Sequence, residues 1–117
     1  MQYLLLAHGD ESAWQTMSKE QQAQGIAAFG AYVEALTSAG ALVGNYRPEL
    51  STATRTVRFA DGAAQVADGP RVEGSEQLTG VYVIEASDLD QAVAWAERNP
   101  AARFGVVEVR PVSAPRP

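Results

Sequence analysis

Apolar positions along the chain fall into short blocks whose period changes, and each change marks an element. Residues 2–8, Gln2-Tyr3-Leu4-Leu5-Leu6-Ala7-His8, form an apolar run closed by Gly9-Asp10. Its length predicts a strand rather than a helix. Residues 12–17 predict a short helical turn around Trp14. Ser18 is then followed three residues on by Gln21, the reciprocal capping arrangement that opens a helix. Ile26, Phe29, Val33 and Leu36 recur at steps of three and four, which stacks them into one apolar stripe. Gly40 can take the left-handed conformation that ends helices. The helix is predicted over 19–39, with Gly25 and Gly30 as weak points or places where a neighbouring backbone comes close.

Residues 41–47 predict a strand stopped by Arg47-Pro48, and 48–53 a loop. Thr54 to Phe59 is rich in β-branched residues, Asp61-Gly62 is a tight-turn pair, and Gln65-Val66-Ala67 resumes extended chain, so 54–67 predicts a hairpin. Residues 68–79 predict a loop and Gly80 to Glu85 a strand. Ser87 with Asp90 repeats the capping pattern before a helix over 88–98, with Leu89, Val93 and Ala96 turned inward and Asn99-Pro100 as the stop. Phe104 to Arg110 predicts the last strand, and 113–117 a Pro-rich tail that frays. The order β-α-β-(β-hairpin)-β-α-β predicts an α+β fold of ferredoxin-like plan, two helices over one face of a mainly antiparallel sheet, as a single domain over 1–112.

Strands 2–8 and 81–84 are apolar at both alternating sets of positions, although a sheet with one wet face should alternate. Two helices cover one face only. The other face needs an apolar cover, and a second copy of the chain is the simplest, giving a homodimer packed sheet to sheet. The alternative is that loops 48–53 and 68–79 fold across it.

Composition mainly narrows the chemistry. The 117 residues contain no Cys and one His, His8, which removes thiol nucleophiles, disulfides and His-rich metal sites. No metal and no cofactor is expected. A net charge of −5 argues against direct binding to nucleic acid or to an anionic membrane. The opening apolar run is too short for a signal peptide and no run approaches a membrane span, so a cytoplasmic location is the expectation.

One segment carries a resemblance. Asp68-Gly69-Pro70-Arg71-Val72-Glu73-Gly74-Ser75-Glu76-Gln77-Leu78 is similar to the motif of the DGPF branch of the YCII-related superfamily, Asp-Gly-Pro-Phe-Ala-Glu-Thr-Lys-Glu-Gln-Leu. Asp68, Gly69, Pro70, Glu73, Glu76, Gln77 and Leu78 match, while Arg71, Val72, Gly74 and Ser75 depart. The opening Tyr3-Leu4-Leu5-Leu6 with Gly9-Asp10-Glu11, the Ser51-Thr52-Ala53-Thr54 stretch, Gly80 with Tyr82, and Pro100-Ala101-Ala102 also resemble the family, so the likeness spans residues 2–112. It implies a dimeric α+β barrel in which two ferredoxin-like sheets face each other. For function it implies two outcomes. Some YCII-like proteins are similar to small-molecule enzymes of isomerase or dehydrochlorinase type that use a His-Asp pair in a cavity. Others are described as uncharacterised, or as accessories to sigma-factor-like transcription proteins. The His of the enzyme-like branch has no counterpart in the long helix or following strand of this chain.

Two groups remain for acid–base work. Asp68, held in a barrel, would have a raised pKa and serve as a base; an Asp before Gly-Pro also organises a turn through its own backbone. His8 shares a face with Leu4 and Leu6 by alternation and could point into a cavity, where an imidazole suits proton transfer; a strand-end His bonded to backbone or water is the plainer alternative. Gly69 and Pro70 shape the loop, and Glu73, Glu76 and Gln77 either line a site or form a solvated acidic loop. Arg71 pairs with a neighbouring glutamate or receives a carboxylate ligand. Asp10-Glu11 is half of an acidic cluster or a polar turn. Trp14 and Tyr82 are candidate pocket walls, and Trp95 is expected at a helix edge. No serine has a visible base partner and no glycine pattern fits a phosphate loop. Two functions follow: binding of a small metabolite in a cavity, with cofactor-free proton abstraction or elimination as the chemistry, or a non-catalytic interaction module. A buried polar cluster around Asp68 beside a cavity would favour the first, and a filled interior with an exposed apolar patch the second.

Overall fold

In the computed structural model the chain is described over residues 1–114; of the predicted tail, Pro115 to Pro117 lie outside the described residues. The elements in order are β1 (Gln2–Asp10), α1 (Ala13–Thr16), α2 (Lys19–Ser38), β2 (Leu42–Tyr46), β3 (Arg55–Ala60), β4 (Ala63–Asp68), β5 (Glu76–Glu85), α3 (Leu89–Arg98) and β6 (Gly105–Pro111). Two 3₁₀ turns, Ser51–Ala53 and Pro100–Arg103, were not expected. Four strands form an antiparallel sheet in the order β2-β5-β1-β6, and β3-β4 stand apart as a two-stranded hairpin. The fold is α+β, with the strand order of the ferredoxin-like plan and the hairpin inserted between its second and third strands.

The core lies between the sheet and the helices. Tyr3 and Leu5 of β1, Tyr82 and Ile84 of β5, Tyr32 and Leu36 of α2, and Ala92 and Ala96 of α3 form one buried cluster. The register explains the layer: Leu5 lies opposite Tyr82 on one side and Val109 on the other, and Tyr3 lies opposite Ile84. Burying a side chain such as Leu5, Leu36 or Ile84 contributes about 1.5–3 kcal/mol. Helix α2 begins on the predicted box, with Gln21 N donating to Ser18 Oγ at 3.1 Å and Ser18 N to Gln21 Oε1 at 3.0 Å. It ends on Gly40, whose φ of 69° lets Ala41 N reach Leu36 O at 2.9 Å and Gly40 N reach Thr37 O at 3.0 Å.

Four local expectations are corrected. In α2 the inward stripe is Phe29, Tyr32, Val33 and Leu36, and Ile26 is 66% exposed, because the N-terminal half of the helix stands away from the sheet. In α3 Ala92 and Ala96 face the core, while Leu89 and Val93 flank it; the small residues let the helix close on the sheet. The cap of α3 is Asp88 rather than Ser87: its carboxylate accepts from Gln91 N at 2.8 Å, and Gln91 Oε1 accepts from Ser87 N at 2.7 Å. Strand β5 also starts earlier than predicted, because Glu76, Gln77 and Leu78 pair with Asp10, Gly9 and His8 beyond a bulge at Ala7/His8.

The second sheet face carries Leu4 opposite Val83 and Leu6 opposite Val81, all half-buried, with Val106 exposed on β6. The hairpin carries Val57 opposite Val66, and Phe59 on it is 77% exposed. The molecule is therefore flat, 49 × 46 × 17 Å, with a radius of gyration of 16.3 Å, against about 13 Å for a compact chain of this length.

The helix correction yields a stability contrast. Leu36→Ala should cost about 2–5 kcal/mol, whereas Ile26→Ala should stay within about 0.5 kcal/mol of wild type. Urea denaturation followed by circular dichroism measures both, and equal losses would contradict the tilt of α2.

Candidate functional site

The end of β1 builds the entrance to the space under α2. The Asp10 carboxylate accepts from Ser12 N at 2.9 Å and Ser12 Oγ at 2.7 Å, closing a turn that starts α1. These bonds hold the Asp10 carboxyl below the usual aspartate range, the Ser12 hydroxyl contributing most. Glu11 reaches across to Ser51, accepting from its backbone N at 2.9 Å and from its hydroxyl. That ties the first 3₁₀ turn to β1. Trp14 packs against α2: its carbonyl accepts from Gln22 Nε2 at 2.8 Å, and its ring sits so close to Gly25 that a Cβ there would lie 3.0 Å from Cζ3. A larger residue at position 25 would push the indole out.

Two adjoining hollows result. One, of about 730 Å³, is lined among others by Trp14, Gly25, Phe29, Arg98, Arg103 and Phe104. The other, of about 690 Å³, is lined among others by Trp14, Phe29, Tyr46, Arg47, Leu50 and Tyr82. Asp10, Trp14, Phe29, Thr79 and Ala101 border both, so the two lie side by side. Small-molecule sites commonly fall between about 300 and 1,000 Å³ and have mostly apolar walls.

A buried polar group backs this space. The Tyr32 and Tyr82 rings meet edge to face with centroids 5.6 Å apart, and Tyr32 Oη donates to Trp95 O at 2.8 Å. Burial pushes both phenols above their usual pKa, Tyr32 far above it. Asn99 is 1% exposed. Its Oδ1 accepts from Ala101 N at 2.9 Å and so starts the second 3₁₀ turn. Its Nδ2 makes no hydrogen bond of good geometry, yet it lies near enough to both phenol oxygens to favour their ionised forms. An orphaned buried donor of this kind costs about 1–3 kcal/mol. Arg47 acts on Tyr82 in the same direction. Arg98 lies over the Trp95 ring at 4.5 Å. Among the described residues no three acidic or histidine side chains converge as a metal site would require.

Residues 1–115 match the YCII-related domain. The chain belongs to the YCII-related family. A relative within reach is an uncharacterised protein of Rhizobium meliloti strain 1021, 35% identical over 119 residues, covering 100% of this chain and 96% of that protein. Among solved structures, the fold is similar to a 5-chloro-2-hydroxyhydroquinone dehydrochlorinase from Burkholderia phenoliruptrix AC1100, in complex with 2,5-dihydroxybenzoquinone. The TM-score is 0.55 at 16% identity, with 97% of this chain and 94% of that chain covered. At that identity the likeness is one of fold.

In this YCII-related chain the candidate residues divide into three places. Trp14 and Tyr82 line the hollow. His8 borders it, but its Nε2 lies 2.8 Å from Glu108 Oε1, and Glu108 Oε2 accepts from Arg110 at 3.1 Å. Arg110 first and His8 second hold the Glu108 carboxyl below its usual value. Asp68 is at the base of the hairpin, its side chain 87% exposed and paired with Arg55 Nε at 2.9 Å. Asp68, Gly69, Pro70 and Glu73 line neither hollow, so the buried polar cluster expected around Asp68 is found instead at Tyr32, Tyr82 and Asn99. The loop after Asp68 is organised from within: Thr56 Oγ1 donates to Gly69 O at 2.8 Å, and Gln77 Nε2 to Val72 O and Gly74 O at 2.9 and 3.0 Å.

Sequence reasoning missed Tyr32, Asn99, Arg47 and the Glu11–Ser51 tie. Tyr32 was findable, since it falls three residues after Phe29 and four before Leu36. In the sequence Asn99-Pro100 signals only a helix stop, and nothing there brings Glu11 to Ser51.

The depressed Asp10 carboxyl fixes a sign. Its bonds stabilise the fold above the usual aspartate pKa and are lost as pH falls through the lower folded value. Asp10→Ala should therefore lower the melting temperature at neutral pH, and the gap to wild type should close on acidification. A gap that widens in acid would contradict the assignment.

Proposed function

We propose that the chain is a DGPF-type member of the YCII-related family that binds a small aromatic or acidic metabolite in the hollow under α2, and does so as a homodimer. The observation that carries this is the pair of adjoining hollows, walled by Trp14, Phe29 and Tyr82 and bordered by Arg47, Arg98 and Arg103. Aromatic walls suit a planar ring, and the arginines suit an acidic substituent. The dehydrochlorinase of similar fold holds a hydroxylated quinone, a ligand of that class.

The dimer reading rests on two apolar surfaces. Leu4, Leu6, Val81 and Val83 form one on the sheet, and Val57, Phe59 and Val66 form the other on the projecting hairpin. Bringing two sheets together covers the first, and the hairpin is placed as an arm for the second copy. Asp68, Gly69, Pro70 and Glu73 serve this reading by setting the direction of that arm, and Gln77 by fixing their loop. For proton transfer without a cofactor the base at the hollow is His8, backed by Glu108; Asp68, 87% exposed beside Arg55, would serve as a base only in a site that a partner copy completes. The same exposed residues are what an interaction module would present, and a foreign protein in place of the second copy is the competing outcome.

Size exclusion with light scattering should give a dimer at micromolar concentration and a monomer for Phe59→Asp; a monomeric wild type would remove the dimer. Thermal-shift screening of hydroxybenzoates, hydroxyquinones including 2,5-dihydroxybenzoquinone, and small acids should stabilise wild type. Gly25→Phe, which fills the space beside Trp14, should abolish the shift while leaving the secondary structure intact. No stabilising compound in the panel would count against the cavity.

A further inference from the structure

The two hollows differ in charge. The first is bordered by Arg98 and Arg103 against one carboxylate, Asp10, whose Oδ1 already accepts from Ser12. His8, which also borders it, is engaged by Glu108 at 2.8 Å. The second hollow is bordered by Arg47 against Asp10, Glu11 and Glu49. A chain of net charge −5 therefore gathers a surplus of arginine on one side only. Among the described residues Arg55 and Arg110 are ion-paired, with Asp68 and Glu108, but no carboxylate lies within ion-pair distance of Arg98 or Arg103. The segment that carries these two is held firmly. Arg98 lies over the Trp95 ring at 4.5 Å, a contact that restrains the side chain without a hydrogen bond. Asn99, 1% exposed, accepts from Ala101 N at 2.9 Å and so starts the 3₁₀ turn that ends on Arg103. Gly105 follows, packed so tightly on the His8 carbonyl that no Cβ would fit. Phe104, between Arg103 and Gly105, borders the same hollow and is 66% exposed.

We infer that the segment from Arg98 to Phe104 is an anion clamp for one end of the ligand. Arg98 and Arg103 receive a carboxylate, and the aromatic ring that bears it lies against Phe104, Phe29 and Trp14. The ligand class is an aromatic carboxylate, bound with its acid group in the first hollow. This rests on the proposed binding under α2 and adds which group is read and which way round the ligand lies. Three features agree. Guanidinium groups match a carboxylate in shape and in donor geometry. Two cations left without a carboxylate partner beside apolar walls are free to take the partner from a ligand. An aromatic residue left open next to them offers a face to the ligand's ring. Arg47 does not read the acid, because Glu11 and Glu49 border its hollow and repel a further negative charge. Arg98 and Arg103 touch the ligand, whereas Asn99 and Gly105 are positioning residues that fix the turn between them and the start of β6.

Isothermal titration of the whole chain compares 4-hydroxybenzoate with 4-hydroxybenzamide, which has the same shape and no charge. Wild type should bind the carboxylate at least about tenfold more tightly, as hydrogen bonds to a charged group allow. Arg98→Gln and Arg103→Gln should each reduce this preference, and the double variant should remove it while its affinity for the amide stays unchanged. Arg47→Gln should keep the preference. Equal binding of the two probes by wild type would overturn the clamp and leave the hollow in place. A preference that survives in the double variant would also overturn the clamp, and its loss in Arg47→Gln would put the acid group in the second hollow instead. If the double variant loses the amide as well as the carboxylate, the arginines shape the hollow rather than read the acid, and the clamp is again overturned. Binding of neither probe by wild type would overturn both the clamp and the proposed binding under α2.

Discussion

Helix α2 touches the sheet along only half of its length, and the rest of the molecule follows from that. Its C-terminal half is clamped by Tyr32 and Leu36 against Tyr82 and Ile84, where the buried core is concentrated. Its N-terminal half carries the Trp14 ring against it, in the place beside Gly25 that a larger side chain would take. A closely packed interior leaves few voids larger than a water molecule. The space under α2 is instead a hollow open to solvent, rimmed by the Asp10–Ser12 turn, the Glu11–Ser51 tie and the second 3₁₀ turn that Asn99 starts. Removing any of these frees a wall of the hollow rather than a piece of the core.

The same economy of packing leaves two apolar surfaces without a cover inside the chain. A monomer of this size ordinarily draws its hydrophobic residues into one compact body. Here the hairpin extends sideways and one sheet face stays half-open. The proposed dimer relieves both at once. It also gives a reason for the ordered loop after Asp68, which joins the projecting hairpin to β5 through Gly69, Gln77 and Thr56.

Much of the fold was legible because its signals are local. The capping pair Ser18–Gln21, the Gly40 stop, the Asp61-Gly62 turn and the two-sided apolar strands each depend on a few neighbouring residues. Errors arose where a distant partner decides. Strand β5 starts at Glu76 because β1 runs on to Asp10, and α3 turns Ala92 and Ala96 inward because the sheet lies close. The site was half legible. Trp14 and Tyr82 could be picked as aromatic walls, since such residues commonly line cavities. Asp68 drew attention through its motif, but its surroundings depend on where the hairpin points. Tyr32, Asn99 and Arg47 converge from three separate elements, and no spacing in the sequence records that.

The proposed binding mode has ligand enter the hollow under α2 and not the loop after Asp68. Nitrogen–proton correlation spectra of the labelled chain, recorded with and without 4-hydroxybenzoate, separate the two directly. The account predicts shifts at the Trp14 indole, the backbone of Gly25 and Phe29, and the side-chain amide of Asn99, with Gly69 to Gln77 unmoved. Shifts confined to Gly69 to Gln77, or none anywhere, would contradict it.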